Sequence, residues 1–249
     1  MIKMTDAKLW KSLISAISTL IDEAGFNIDS SGIKLRAMDP SHIAMIDFEW
    51  PNNVFEEFVC DQPTNLCINV NEMLRLLRRI KSDESLYITL DEKLARLTIM
   101  LIGSYTRTFS IPTLDTVDDT VPTPKLSLKA RIRITTNTLK DAMDDALTVS
   151  DHIKLTMTNE KFVMNAQGNV GNVLIEIPKE SEVILDLEAE EESTAIFSLN
   201  YLSEMIKAAS ALSEIAIVEF STDMPIKLNF ELPQGGKLQY YLAPRIENP

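Results

Sequence analysis

Histidine is scarce in this sequence, and the stretch LRAMDPSHIAMIDFEW holds its clearest chemical candidate, His42. This residue follows the turn-forming Asp39, Pro40 and Ser41, and Asp47 is the other nearby acid. A catalytic base or a metal ligand needs partner side chains at suitable spacing, and neither a second histidine nor a well-spaced carboxylate lies near His42. Two interpretations of His42 therefore stay open: a structural histidine held by hydrogen bonds, and a residue of a docking surface.

Acidic clusters are the other feature that could support chemistry, because carboxylates bind divalent cations. Aspartates occur near 115–119 and 141–145, and the run EAEEES spans 188–193. No histidine or glycine-rich motif accompanies them, so we interpret EAEEES as a solvated loop and the linker aspartates in the same way, and we expect no metal site and no cofactor. A metal-dependent hydrolase that uses the aspartates stays open as an alternative of another class.

The sequence motifs and the cysteines argue against several other kinds of functional site. None of the seven glycines forms GxGxxG, GxxxxGK[ST] or a Gly-x-Ser-x-Gly elbow, the loops of nucleotide-binding proteins and of hydrolases. Cys60 and Cys67 have neither a CxxC spacing nor a nearby histidine, which predicts buried free thiols rather than a zinc or redox site. No catalytic residue is predicted.

The overall charge limits how the chain can meet nucleic acid. Thirty-seven acidic residues against 24 basic ones give a net charge of -13, so any contact with nucleic acid must be local. No run of about 18 apolar residues occurs, and the N-terminus lacks the apolar core of a signal peptide. These features predict a cytoplasmic protein with no membrane contact.

One basic cluster stands against this acidic background. The stretch RLLRRIK contains Arg75, Arg78, Arg79 and Lys81. On a helix the three arginines share a face, and Lys81 falls near its edge. The cluster is either a solvated helix face or a patch that contacts phosphates, and its unneutralised charge favours the phosphate-binding interpretation.

The sequence pattern that surrounds these residues occurs twice in the chain. The stretch GIKLRAMDPSHIAMIDF (32–48) aligns with KFVMNAQGNVGNVLIEI (161–177) at an offset of about 129 residues, which places Ile33 on Phe162. NEMLRLLRRI likewise falls on NYLSEMIKAA, and RTFSIP falls on QYYLAP. Apolar positions and turns agree between the halves, which predicts two similar domains.

Apolar spacing predicts two helices and about six strands in each half. The first helix carries an apolar stripe of Trp10, Leu13, Ile14, Ile17, Leu20 and Ile21. Asn71 is the predicted cap of the second helix, and the second half has helices near 138–150 and 200–212.

The predicted fold is α+β, with two similar β-rich domains at 1–112 and 130–249. Each domain has two helices packed on an antiparallel sheet. Residues 113–129 carry two prolines and three aspartates without a helical or alternating period, which predicts an extended linker between the domains.

Several stretches resemble one known family. AMDPSHIAMID, IDEA at 21–24, DMPIKLNFEL at 223–232 and YYLAPRIE at 240–247 resemble the archaeal sliding clamps called proliferating cell nuclear antigen, and the match runs almost end to end. The resemblance implies the DNA clamp fold and a homotrimeric ring that encircles double-stranded DNA. It implies a processivity factor that is not an enzyme and that tethers DNA polymerase, the clamp loader, flap endonuclease and DNA ligase through short peptide motifs. A subunit of a heterotrimeric clamp is the alternative.

The family's partner groove lies between the domains and under the linker. Carried over to this sequence, the groove comprises Met38, His42, Ile43, Val117, Val121, Pro225, Tyr241, Ala243 and Pro244. The resemblance thus implies that His42 belongs to a docking surface. The linker departs from the family at Asp119, where relatives often have an apolar residue.

The resemblance also implies a DNA-facing pore and subunit contacts. The pore cations carry over to Lys11, Arg75, Arg78 and Lys207, and with them we group the neighbouring cations Lys8, Arg79, Lys81 and Lys140. The third helix departs from relatives, because Asp141 and Asp144 stand where they have basic residues. Strands that pair between subunits carry over to Tyr105, Arg107 and Phe109 in the first half and to Val173, Ile175 and Ile177 in the second.

Overall fold

The computed structural model describes residues 1–115 and 121–246. The chain forms two compact units. The first contains Met1–His42, Ile46–Val121 and Leu232–Leu238, and the second contains Ile43–Met45, Pro122–Glu231 and Gln239–Pro249. A short segment of each half therefore belongs to the other unit, which the duplicated sequence pattern does not predict.

The first unit consists of two helices and antiparallel strands. Its helices are α1 (Ala7–Ile17) and α2 (Val70–Leu77). The strands of this half are β1 (Ile2–Met4), β2 (Glu23–Asp29), β3 (Gly32–Met38), β4 (Ala44–Pro51), β5 (Glu57–Phe58), β6 (Thr64–Asn69), β7 (Ser85–Asp91), β8 (Arg96–Ile102) and β9 (Thr106–Pro112). One sheet has the order β5-β1-β7-β8-β9, and the other strands follow the order β4-β3-β2-β6.

Helix α1 forms where the sequence places an apolar stripe behind a capping residue. The Asp6 carboxylate accepts the Lys8 N–H at 2.8 Å and so satisfies one free donor of the first turn. The buried face packs into the sheet, where the Trp10 ring lies 6.3 Å from Phe26 and 6.4 Å from Trp50. Burial of these aromatic rings holds the helix against the strands.

Helix α2 begins and ends earlier in the chain than predicted. The capping side chain is Asn69, whose Oδ1 accepts the Glu72 N–H at 2.9 Å. The predicted cap, Asn71, lies inside the helix and donates to the Asp22 carboxylate at 2.8 Å. Both asparagines lie close to the start of the apolar pattern, and the prediction took the later one.

The second unit repeats the arrangement. Its helices are α3 (Thr136–Leu147) and α4 (Leu199–Ala209). The strands of this half are β10 (Ala130–Thr135), β11 (His152–Met157), β12 (Lys161–Gly168), β13 (Gly171–Pro178), β14 (Ile184–Ala189), β15 (Ser193–Ser198), β16 (Ile215–Phe220), β17 (Ile226–Glu231) and β18 (Lys237–Leu242). One sheet has the order β13-β12-β11-β15, and β14, β10, β16 and β17 follow one another in that order.

The core of the second unit forms under α3 and α4, which pack against each other. The predicted apolar stripes are buried, namely Leu139, Ala142, Met143 and Ala146 in α3 and Leu202, Met205, Ile206 and Ala209 in α4. Phe197 of β15 meets Phe220 of β16 edge to face at 6.3 Å. The helical spacing read from the sequence therefore identified the buried faces.

The structure confirms the α+β class and corrects several element boundaries. Strands β1 and β10 precede the first helix of each half and were not predicted. Three residues are too few to show alternation in β1, whereas β10 alternates apolar residues with Arg131 and Arg133, a strand pattern that sequence reasoning overlooked. The stretch EAEEES, predicted as a loop, is partly strand, because β14 continues through Ala189 and β15 begins at Ser193.

Candidate functional site

The helices of the first unit carry a group of cations that we call the basic face. It comprises Lys8, Lys11, Arg75, Arg78, Arg79 and Lys81. Helices α1 and α2 pack side by side, and Lys11 Nζ donates to the Arg78 carbonyl at 3.4 Å. Lys11 is half-buried and the other five side chains are exposed. In the part of the chain that the structure describes, none of the six forms an ion pair, so their charge is available to an anion.

Only part of the basic face lies on a helix. Helix α2 ends at Leu77, so Arg79 and Lys81 belong to the following turn rather than to the predicted helix face. Glu84 organises this turn, because its Oε2 accepts the Lys81 N–H at 2.8 Å. Arg107 of β9 donates to the Arg79 carbonyl at 3.3 Å. Tertiary contacts, not helix geometry, therefore fix these two cations.

The carboxylate of Glu84 is the most buried charge of this region, with 2% of its side chain exposed. Burial acts to raise its pKa, but the Lys81 N–H and the Arg107 guanidinium outweigh burial and hold the pKa below its ordinary value. The Arg107 nitrogen lies 2.6 and 2.7 Å from the two carboxylate oxygens. Glu84 is thus ionised at neutral pH and keeps the turn in place.

The second unit offers fewer free cations. On α3, Lys140 Nζ lies 3.5 Å from the Asp141 carboxylate and 3.6 Å from that of Asp144. These acids neutralise the predicted pore lysine in part. Lys207 is exposed in the last turn of α4, where a cation stabilises the negative end of the helix dipole. The predicted pore cations are therefore concentrated in the first unit.

The stretch Asp39 to His42 forms a tight turn after β3. The Asp39 carbonyl accepts the His42 N–H at 2.9 Å, and the Asp39 carboxylate accepts the Ser41 N–H at 3.1 Å. Pro40 sits at the second position of the turn, where its fixed φ is favourable. His42 has a positive φ of 57° and is exposed, so the turn holds its imidazole at the surface.

The residues predicted for the partner groove divide between the two units. Met38, His42 and Val121 belong to the first, and Ile43, Pro225, Tyr241, Ala243 and Pro244 belong to the second. The Ile43 carbonyl accepts the Ala243 N–H at 2.8 Å, which brings these two together. Ile43 is 41% exposed, whereas Tyr241 is buried. Val117 and Asp119 lie outside the described residues.

The arm after β18 is held to the second unit by backbone and side-chain contacts. The Arg245 N–H donates to the Ile196 carbonyl at 2.7 Å, and the Arg245 guanidinium lies against the His152 ring. His152 Nδ1 is 2.5 Å from the Asp151 carboxylate, and this hydrogen bond holds the pKa of Asp151 below its ordinary value. Sequence reasoning missed this contact, because Arg245 and His152 are 93 positions apart.

Arg36 makes a second set of contacts that sequence reasoning missed. On β3, its guanidinium donates to the Asp47 carboxylate at 2.9 Å and to the Val121 carbonyl at 3.4 Å. Val121 is where the described part of the linker resumes. The available signal was a charge inside each of two apolar strands, GIKLRAM and AMIDF.

The predicted subunit contacts lie on two strands that end their sheets, except for Tyr105, which directly precedes β9. Strand β9 is the last strand in the order β5-β1-β7-β8-β9, and β13 is the first in β13-β12-β11-β15. Phe109 and Arg107 of β9 are half-buried, as are Val173 and Ile175 of β13, whereas Ile177 is buried. Tyr105 is 55% exposed, with Lys81 Nζ 5.1 Å from its ring centre. Unpaired strand edges of this kind can accept another strand.

Metal and thiol chemistry find little support in the geometry. Across residues 1–115 and 121–246, no three or more side chains of His, Cys, Asp or Glu are grouped to hold a metal. Cys67 is buried, and burial raises its pKa, whereas Cys60 is half-buried rather than buried as predicted. Among the described helices, none has the length and apolarity to cross a membrane.

Sequence comparisons connect both halves to one family. The model of the proliferating cell nuclear antigen N-terminal domain matches residues 1–112, and the model of its C-terminal domain matches residues 123–245. DNA polymerase sliding clamp 1 of Pyrobaculum aerophilum is 35% identical over 242 residues, which cover 97% of this chain and 96% of the relative. The DNA polymerase sliding clamp of Pyrococcus furiosus is 35% identical over 241 residues, with the same coverage of both chains.

Solved structures give the same result. PCNA from Thermococcus kodakaraensis superimposes with a TM-score of 0.92 at 26% identity, covering 98% of this chain and 99% of that one. The PCNA2–PCNA3 complex from Sulfolobus tokodaii contains a chain that matches with a TM-score of 0.91 at 26% identity, covering 99% of both chains. With both family models matched, and relatives aligned over nearly their whole length, the chain belongs to the proliferating cell nuclear antigen family of DNA polymerase sliding clamps, which are non-catalytic.

Proposed function

We propose that three copies of this chain close into a ring that encircles duplex DNA and tethers replication and repair enzymes. The observation that carries this proposal is the pair of end strands, β9 in the first unit and β13 in the second. A strand edge in each unit supports head-to-tail pairing of one copy with the next, and a head-to-tail interface closes into a ring when its rotation permits. The functional domains are then 1–112 and 130–249, joined by the connecting loop 113–129.

Charges beside the two end strands support the same pairing. The exposed cations Arg79 and Lys81 lie beside β9, where they contact Arg107 and Tyr105 respectively. In the second unit α3 packs beside β13 and carries Asp141, Asp144 and Asp145 on its exposed side. Opposite charges at the two edges favour the head-to-tail arrangement and disfavour pairing of like edges. The acids that replace basic residues in the third helix thereby gain a role in assembly.

In this proposal the basic face contacts the DNA. A closed ring cannot leave DNA sideways, so a few weak phosphate contacts are sufficient and still allow sliding. The net charge of -13 fits a ring whose outer surface is acidic and whose cations are gathered on helices.

The docking surface for partners is the predicted groove. DNA polymerase, the clamp loader, flap endonuclease and DNA ligase would each insert a short peptide with a glutamine, an aliphatic residue and two aromatics. Exposed Ile43 and His42 offer an apolar contact and a polar contact for such a peptide.

A heterotrimeric clamp is the second candidate. It is favoured by the similarity to a chain of the PCNA2–PCNA3 complex from Sulfolobus tokodaii, because that complex joins two different subunits. In such a ring this chain would pair its edges with those of other subunits rather than with copies of itself.

Solution mass and DNA topology together test the proposal. Three chains of 28.0 kDa give about 84 kDa by light scattering if the ring is homotrimeric. Loaded clamps should stay on closed circular plasmid and slide off the same plasmid once it is cut. A stable monomer at micromolar concentration, with no other subunit added, would remove the homotrimer and leave the heterotrimer. Equal loss from circular and linear DNA would contradict encirclement.

A further inference from the structure

Arg36 contacts the linker at Val121. Its NH2 nitrogen lies 2.9 Å from Asp47 Oδ2, and its NH1 nitrogen lies 3.4 Å from the Val121 carbonyl oxygen. The shorter contact fixes the guanidinium, and the longer one is the weaker of the two. One side chain on β3 therefore joins a buried acid to the backbone of the linker.

Burial of these charged groups has a desolvation cost that their ion pair only partly offsets. The Asp47 side chain is 7% exposed and that of Arg36 is 33% exposed. Arg36 Nε is buried, and among the described residues it has no hydrogen-bond partner. A part-buried ion pair with an unsatisfied donor contributes little net stability compared with apolar residues of similar size. The Arg36–Asp47 ion pair therefore contributes little to stability, but it holds the Arg36 guanidinium in one orientation.

Lys34 shows what an ordinary cation on the same strand does. Its Nζ lies 3.4 Å from Glu49 Oε1, and both side chains are well exposed, at 45% and 40%. Such surface pairs contribute little. The Lys34–Glu49 pair has the same charges as the Arg36–Asp47 pair, and Lys237 Nζ also lies 3.4 Å from Glu49 Oε2. Lys34 forms no hydrogen bond or ion pair with the described part of the linker, so it serves as a matched control.

We propose that Arg36 is a positioning residue that ties the linker at Val121 to strand β3 and so fixes one side of the partner groove. The functional half of this inference rests on the proposed function, because Val121 is a residue of the proposed groove. The guanidinium is suited to the task, because its planar fork engages the carboxylate and the carbonyl at once. A lysine has a single ammonium and cannot span both acceptors in this fork geometry.

Cleavage of the linker measures the tether without any partner. Lys125 is exposed four positions after Val121, and trypsin cuts after it at a rate set by how often the linker opens. Cleavage at exposed Lys179, in the second unit, provides the internal reference. The full chain is compared with Arg36→Lys, Arg36→Gln and Lys34→Gln.

Arg36→Lys is the decisive variant, because it keeps the charge beside Asp47 and should fold normally. We expect cleavage at Lys125 relative to Lys179 to rise about fivefold in Arg36→Lys, the ratio that corresponds to removal of a net hydrogen bond of about 1 kcal/mol. Arg36→Gln should raise it at least as much, and Lys34→Gln should leave it unchanged. Equal cleavage in Arg36→Lys and wild type would overturn the tether.

Calorimetric titration with a synthetic partner peptide measures the consequence for the groove. If wild type binds the peptide, Arg36→Lys should bind it several-fold more weakly while Lys34→Gln binds as wild type does, with unchanged thermal midpoints for both. Equal affinity for wild type and Arg36→Lys would overturn the positioning role. If wild type binds no peptide, the proposed groove is wrong, and the cleavage ratios still decide whether Arg36 holds the linker.

Discussion

Arg107 and Glu84 form a buried ion pair between residues 23 positions apart, in which one guanidinium nitrogen meets both carboxylate oxygens at 2.6 and 2.7 Å. The pair joins end strand β9 to the turn that carries Arg79 and Lys81. The same ion pair therefore stabilises both the predicted subunit edge and part of the basic face.

Glu84→Gln should therefore destabilise the protein by roughly 2 kcal/mol at neutral pH, the contribution of a hydrogen bond to a charged group. The folded-state pKa of Glu84 is lowered, so its stabilisation is present above the unfolded-state pKa and is lost as pH falls through the folded-state value. Urea unfolding at fixed protein concentration should show the gap between wild type and variant at pH 7 and a narrower gap below about pH 4. Exposed Glu92, changed to Gln, is the control, and a gap independent of pH would contradict this role of the ionised carboxylate.

Replacing Arg75, Arg78 and Arg79 with alanine should leave folding intact and weaken retention on DNA. Their side chains are exposed, so their removal uncovers little of the core. The salt dependence of DNA association should become shallower by roughly 0.9 units of slope for each phosphate that the variant no longer neutralises. Lys93, Lys125 and Lys179 changed together to alanine remove the same charge elsewhere. If both triple variants behave alike at several salt concentrations, the arginines are only a solvated surface.

Ile43→Arg should cost at least about tenfold in affinity for a partner peptide, because a charge must be desolvated where an apolar contact is expected. Ile43 is 41% exposed, so the variant should fold and keep its assembly. Calorimetric titration measures the affinity, and Val170→Arg, at another highly exposed apolar residue, controls for the added charge. Unchanged affinity in Ile43→Arg would show that this stretch is not the docking site.

His42→Asn isolates the contribution of the imidazole. His42 has a φ of 57°, a conformation that asparagine tolerates and alanine does not favour, so the asparagine variant removes the ring without adding backbone strain. We expect peptide affinity to fall a few-fold, less than for Ile43→Arg, because one edge contact is removed. Full affinity in His42→Asn would mean that His42 shapes the turn and does not contact the partner.

Leu174→Pro should break the assembly without unfolding the second unit. The hairpin closes at Gly168 and Gly171, and ladder hydrogen bonds alternate along the strand, so the Leu174 N–H points away from β12 to the free edge of β13. Proline removes this donor from the proposed site of pairing with the next copy. Light scattering should shift from the mass of the assembly to 28.0 kDa. Leu174→Val keeps an apolar side chain and the N–H, so it should assemble normally, and an intact assembly in Leu174→Pro would exclude this strand from the interface.

The sequence by itself determined the duplication, the apolar helix faces and the family. Trp10, Leu13 and Ile14 in α1, like Leu139 and Met143 in α3, are buried as their spacing predicted. Helical spacing is a local property, because residues three and four apart share a face whatever the rest of the chain does. Burial of one such face in each helix then follows from the hydrophobic effect alone.

Tertiary structure decided which polar groups meet. Sequence spacing does not predict contacts between residues that are 23 to 93 positions apart. Three such contacts are Glu84 with Arg107, Arg36 with Val121, and His152 with Arg245. Such pairs form only where packed strands and turns bring distant backbone segments together, and a charge is tolerated there because its partner arrives with the fold. The same reason explains where α2 begins. Asn69 caps the helix because β6 ends at Asn69, whereas the Asn71 side chain donates its hydrogen bond to Asp22. The types of side chain were read from the sequence, whereas their partners were set by packing.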